Sequence, residues 1–162
     1  MKEFFWALAI ILQIEGGWTE MDGGTNYGIT AATLTGANRL QIVRTQDIRK
    51  LTKSEAAKIY YKMFWLESGA NKYPYPLNLV VFDAAVHMGP AEAKRLLRIA
   101  VHNSSSLNAR HIARQYVHER YKKLQTLKNY PKYKKGWNRR MRTIANCVST
   151  ARNIRFLNTF VR

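Results

Sequence analysis

Cysteine is almost missing from this chain of 162 residues: Cys147 stands alone, so no internal disulfide can form and the fold cannot depend on an oxidising compartment. Long hydrophobic runs are missing too. The best candidate, residues 4–14, is interrupted only by Gln13 and is too short to span a bilayer, which takes about 20 residues. It has no small-residue cleavage site and is flanked by Glu3 as well as Lys2, so neither a signal peptide nor an anchor is expected. Acid is scarce: 10 Asp and Glu face 27 Lys and Arg, a net charge of +17 that draws in polyanions such as nucleic acid, anionic lipid or an anionic cell wall. Charge does not choose among these. The four histidines form no His-Glu-x-x-His pattern and no second cysteine is available, so no metal and no cofactor are expected.

With 46% hydrophobic and 12% aromatic residues the chain is globular rather than disordered, and its length fits one domain or one domain with a small lobe. It has no internal repeat, low-complexity tract or free linker. Residues 4–14 read as a helix buried on all sides, ended by Gly16-Gly17. From Trp18 to Ile29 a small β-hairpin is expected, turning at Asp22-Gly23-Gly24, after which Thr30 caps a short helix ending at Gly36. Thr52-Lys53-Ser54-Glu55 is a capping box ahead of Ala56, Ile59, Tyr60, Met63 and Phe64 at helical spacing. A loop over 68–76 leads to an apolar helix from Leu77 to Met88, and Gly89-Pro90 starts another that runs to about Val101. A long basic helix over 107–127, a connection over 129–136 and a last helical region from Trp137, broken near Asn153, complete six or seven helices. The expectation is an α+β, mainly α fold with one small hairpin near the N-terminus.

The first thirty residues hold four of the ten acids and one Lys or Arg, whereas from Arg139 onward there are six arginines and no acid. Glycoside hydrolysis needs a protonated acid for the departing oxygen and usually a carboxylate that activates water or steadies the cationic sugar. Glu15 suits the first role. Its aliphatic predecessors and the carbonyls of a helix C-terminus both favour the protonated form. Asp22 is the natural partner, although Asp in Asp-Gly-Gly is more often a turn former. Thr25 and Asn26 can hold a water or a sugar hydroxyl, and Tyr27 and Trp18 can stack on sugar. Trp65, Tyr73 and Tyr75 belong more readily to the core. Asp83, on an apolar helix, reads as a buried structural acid bonded to backbone amides rather than a catalyst.

The stretch Glu15-Gly-Gly-Trp18, followed by Gly23-Gly24-Thr25-Asn26-Tyr27-Gly28-Ile29-Thr30, resembles the signature of family 108 glycoside hydrolases, the lysozyme-like N-acetylmuramidases of phage lysis cassettes and bacteria. Residues 51–65, residues 81–90 and Lys135-Gly136-Trp137-Asn138-Arg139-Arg140 are similar to further family elements, the last in a small C-terminal peptidoglycan-binding lobe. The resemblance implies cleavage of the β-1,4 bond between N-acetylmuramic acid and N-acetylglucosamine, with Glu15 as the acid. It also implies a lysozyme-type fold with Asp22 and Thr25 on its hairpin. The loop Thr19-Glu20-Met21-Asp22 is shorter than the family's, so the second carboxylate is Asp22, Glu20 or neither. His87 stands where the family tends to have Asn and is a substrate-binding candidate with Trp18, Asn26 and Tyr27.

The resulting expectation is a monomeric phage endolysin in one compact unit: residues 1–89 catalytic, residues 90–162 a basic helical lobe packed on them. Its partners are peptidoglycan and the anionic bacterial envelope, with some non-specific nucleic-acid binding through charge. It is expected in the host cytoplasm, released to the periplasm or cell wall through a holin-type pore. The rival readings are a basic helical nucleic-acid-binding protein, since Tyr121, Tyr130, Tyr133 and Trp137 interleave the basic helices, and a lytic transglycosylase on the same bond.

Overall fold

The computed structural model describes residues 1–15 and 24–150. Helix α1 (Lys2–Glu15) forms over the apolar run, yet it is not buried on all sides. Phe4, Ala7, Leu8 and Ile11, spaced as one helical stripe, are buried, while Phe5 is 54% and Trp6 36% exposed. The reason is position, because α1 lies against the helix over 77–88 and the segment 60–66 rather than in the middle of the fold. The helix that is buried all round is α4 (Leu77–Met88), in which every residue from Leu77 to Ala85 is buried and against which α1 and the helices over 90–103 and 109–125 pack.

Among the described residues a two-stranded hairpin forms near the N-terminus. Strands β1 (Thr25–Asn26) and β2 (Ile29–Thr30) pair antiparallel, Thr25 opposite Thr30 and Asn26 opposite Ile29. The turn is Tyr27-Gly28, with φ of 52° and 75°, the two left-handed residues that match a two-residue turn to the twist of its strands. Of the expected turn Asp22-Gly23-Gly24, only Gly24 is among the described residues, and it directly precedes β1.

Thr30 caps helix α2 (Ala31–Arg39) by accepting from the Thr33 backbone N–H at 3.1 Å. The helix does not stop at Gly36. Leu34 and Ala37 lie on its buried face on either side of the glycine, so continuing the helix keeps both in the core. The capping box forms as read, with Thr52 and Glu55 exchanging bonds at the start of α3 (Lys53–Ile59). The same helix then widens into a π-helical segment, Tyr60–Leu66. Its aromatic side chains meet α1 and α4: Phe4 lies 5.0 Å from Tyr61 and 5.7 Å from Trp65, and Phe82 5.3 Å from Trp65, centroid to centroid. Edge-on pairs of this kind add about 0.5–1.5 kcal/mol each beyond burial alone.

Gly89 and Pro90 separate α4 from α5 (Pro90–Asn103), and α6 (Ala109–Gln125) follows the polar break. The expected connection over 129–136 is helical instead: α7 runs from Tyr130 to Ser149, with Pro131 in the first turn, where it displaces no helical hydrogen bond. Met141, Ile144 and Val148 bury its inner face, and α6 packs alongside. The break expected near Asn153 lies outside the described residues.

Candidate active site

Glu15 is the last residue of α1, with its side chain 21% exposed. The hairpin turn leans on it. A Cβ placed on Gly28 would stand 2.6 Å from Glu15 Cβ, 2.8 Å from Glu15 Cγ and 2.7 Å from Tyr60 Oη, so only glycine lets the turn backbone come this close. Tyr60, the first residue of the π-helical segment, donates its hydroxyl to the Tyr27 carbonyl at 2.9 Å. Burial and then the nearby Glu15 carboxylate push the Tyr60 phenol up, which keeps it a proton donor.

The opposite wall comes from α7. Arg140, 9% exposed, donates Nη1 to Glu15 Oε1 at 2.5 Å, while its Nε and Nη2 reach Asp83 Oδ1 at 3.0 and 2.8 Å. Arg120 Nη1 binds Asp83 Oδ2, and Arg120 Nη2 reaches His87 Nδ1 at 3.0 Å. Glu15, Arg140, Asp83 and Arg120 therefore form a chain in which carboxyl groups and guanidiniums alternate. Burial works against the charged form of Asp83, yet the two guanidiniums outweigh it and hold the carboxyl below its usual range.

Burial, and then Arg120 and Arg140, push His87 down to about 3. A guanidinium can only donate, so Nδ1 accepts, and the neutral ring carries its proton on Nε2. The ring edge meets Trp137 at 5.4 Å, and Trp137 in turn stacks on Tyr133 at 5.6 Å.

These contacts sort the residues singled out from sequence. Glu15 stands at the junction of α1, the hairpin and α7. Beside the apolar neighbours and helix end legible in the sequence, it has the Arg140 guanidinium. Thr25 and Tyr27 are half-buried on the hairpin beside it. Asn26 points its amide elsewhere, donating Nδ2 to the Ile48 and Leu51 carbonyls at 3.1 and 3.3 Å, and so ties the hairpin to the loop before α3. His87 lies on α4 and meets the chain through Arg120. Trp18, Glu20 and Asp22 lie outside the described residues. Asp83 is buried as expected, at 0% exposure, but its partners are two arginines rather than backbone amides.

Tyr60, Gly28, Arg120 and Arg140 were not singled out as site residues. One signal did exist for the arginines. An acid inside a helix as apolar as α4 must find cations or donors, and the chain has few places to keep them except its basic last third. Asp83 is too deep to touch a substrate, so any second carboxylate at the site comes from another residue. Among the described residues no three His, Cys, Asp or Glu side chains gather as a metal site.

Comparison with known proteins places this geometry. No curated protein matches the sequence. The solved structure of Brucella abortus SagA is similar over 91% of this chain and 95% of its own, at 26% identity with a TM-score of 0.77. Residues 8–89, half of the chain, match the model of the family described as glycosyl hydrolase 108, and they carry Glu15, the hairpin, Tyr60, Asp83 and His87. The chain thus belongs to glycosyl hydrolase family 108, and it is a glycoside hydrolase of lysozyme-like, mainly α-helical fold.

Proposed function

We propose that this hydrolase cleaves the β-1,4 bond between N-acetylmuramic acid and N-acetylglucosamine in peptidoglycan, and that it serves as a phage endolysin. The observation that carries the reading is the setting of Glu15: a partly exposed carboxylate at a helix end, its stem against Gly28 and Oε1 bound by Arg140, in a family of glycoside hydrolases. Because the guanidinium donates to Oε1, the proton delivered to the glycosidic oxygen belongs on Oε2. Asp22, with Thr25, positions water or supports the cationic sugar. Trp18, Tyr27 and His87 contact the glycan, His87 through Nε2–H. Asn26 takes part through its Oδ1, its amide being engaged with Ile48 and Leu51.

The charge of +17 favours approach to an anionic envelope. Release from the host cytoplasm through a holin-type pore belongs to the same proposal. Lysis by the protein expressed alone, without membrane permeabilisation, contradicts that part of it.

The bond is tested by digesting purified peptidoglycan and weighing the fragments by mass spectrometry. Reducing-end muramic acid supports the reading. Anhydromuramic ends make the protein a lytic transglycosylase, and reducing-end glucosamine moves the cut to the other glycosidic bond.

A further inference from the structure

Arg140 sits 51 residues beyond the last residue of the family-matched segment 8–89, yet it touches the carboxylate on which the reaction depends. Its guanidinium has its donors divided between two acids. Nη1 faces Glu15, and Nε and Nη2 face Asp83, with Nη2 also 3.5 Å from the Asp83 carbonyl. Asp83 is itself fixed, since it is wholly buried in α4 and bound from the other side by Arg120. The guanidinium therefore cannot swing without stranding a buried charge.

We propose that Arg140 is the positioning residue of the candidate acid: clamped by Asp83, it holds one oxygen of Glu15, so that helix α7 completes the active site of the segment that precedes it. The inference rests on Glu15 being the acid. The clamp works by geometry. Gly28 blocks the stem of Glu15 on one side, and Arg140 holds its head on the other. Only rotation that keeps Oε1 on the guanidinium remains, which leaves Oε2 aimed at one place. Lysine carries the same charge at a single point and cannot bridge two carboxylates, so it replaces the charge without the fork. Among the described residues, the charged and titratable groups facing Glu15 from the packed elements are Tyr60 from the π-helical segment, Arg140 from α7 and, behind Arg140, Asp83 from α4.

The test uses the full chain as wild type, Arg140→Lys, Arg140→Gln and Glu15→Gln, with turnover on purified peptidoglycan normalised to the folded fraction seen in thermal melts. Misplacement of a reacting group by about 1 Å costs on the order of 100-fold, so Arg140→Gln loses about that in kcat with KM little changed. Arg140→Lys, which keeps the charge and the fold, regains only part of the loss. A merely structural arginine lowers the folded fraction and leaves kcat per folded molecule alone. Wild-type kcat in folded Arg140→Lys and Arg140→Gln overturns the proposal. Full activity in Glu15→Gln overturns instead the assignment of the acid on which it rests.

Discussion

Arg140 and Glu15 are 125 residues apart in sequence and joined by a 2.5 Å hydrogen bond. The first helix and the last described one meet at the carboxylate, and the hairpin closes over its stem. Three separate parts of the chain thus have to be in place before Glu15 has a defined position.

Gly28→Ala should show how tightly that position is held. The new methyl would stand 2.6 Å from Glu15 Cβ, and φ of 75° is unfavourable for alanine, so either the hairpin or Glu15 must move. A loss of about 1–3 kcal/mol in stability is expected from strain and overpacking, with a fall in kcat on the order of 100-fold from the displaced acid. Urea melts and steady-state kinetics on the same preparation separate the two. A variant as active as wild type shows that the close approach does not matter.

Asp83→Asn leaves Arg120 and Arg140 buried without their shared counter-charge. Breaking such a group costs about 3–5 kcal/mol. The pH dependence gives the sign independently. The native Asp83 carboxyl lies below its usual value, so its contribution is complete above the unfolded value of about 3.9 and is lost as pH falls through the lowered native one. Wild type should therefore lose stability more steeply than Asp83→Asn when denaturation midpoints are followed from pH 5 down to pH 2. Parallel curves contradict the buried pairing.

His87 acts in a higher window. It is neutral in the fold down to about 3, whereas the unfolded side chain takes its proton at about 6.5, so between these values the unfolded chain binds the extra proton and stability rises with pH. In His87→Gln, whose amide oxygen can still accept from Arg120, the part of that rise between pH 5 and 6.5 should disappear. The difference in denaturation midpoint between the two proteins, followed across that interval, is the measurement; a constant difference means His87 is protonated in the fold.

Local signals carried far. Thr52 and Glu55 announce their capping box, Thr30 its cap, and Gly89-Pro90 the junction of α4 and α5, because each interaction closes within four residues. Glu15 was legible for a similar reason, as an acid at the end of an apolar run beside two glycines. The turn at Tyr27-Gly28 gave no clear signal, because a left-handed tyrosine is uncommon; what holds Tyr27 there is the hydroxyl of Tyr60, 33 residues on. The largest gap was the inside of the basic third. A run such as Asn138-Arg139-Arg140-Met141-Arg142 reads as a solvated face, and nothing in its spacing says that Arg140 turns inward while Arg139 and Arg142 stay exposed. The deciding partner, Asp83, is 57 residues away.

The central claim is that Glu15 is the general acid, and replacing it by glutamine tests this most directly, since the amide keeps the shape and the hydrogen-bond acceptor but cannot deliver the proton. The measurement is kcat of Glu15→Gln on purified peptidoglycan beside its melting curve. A fall of about 100-fold to 10,000-fold in a folded protein is predicted; turnover at the wild-type rate contradicts the account.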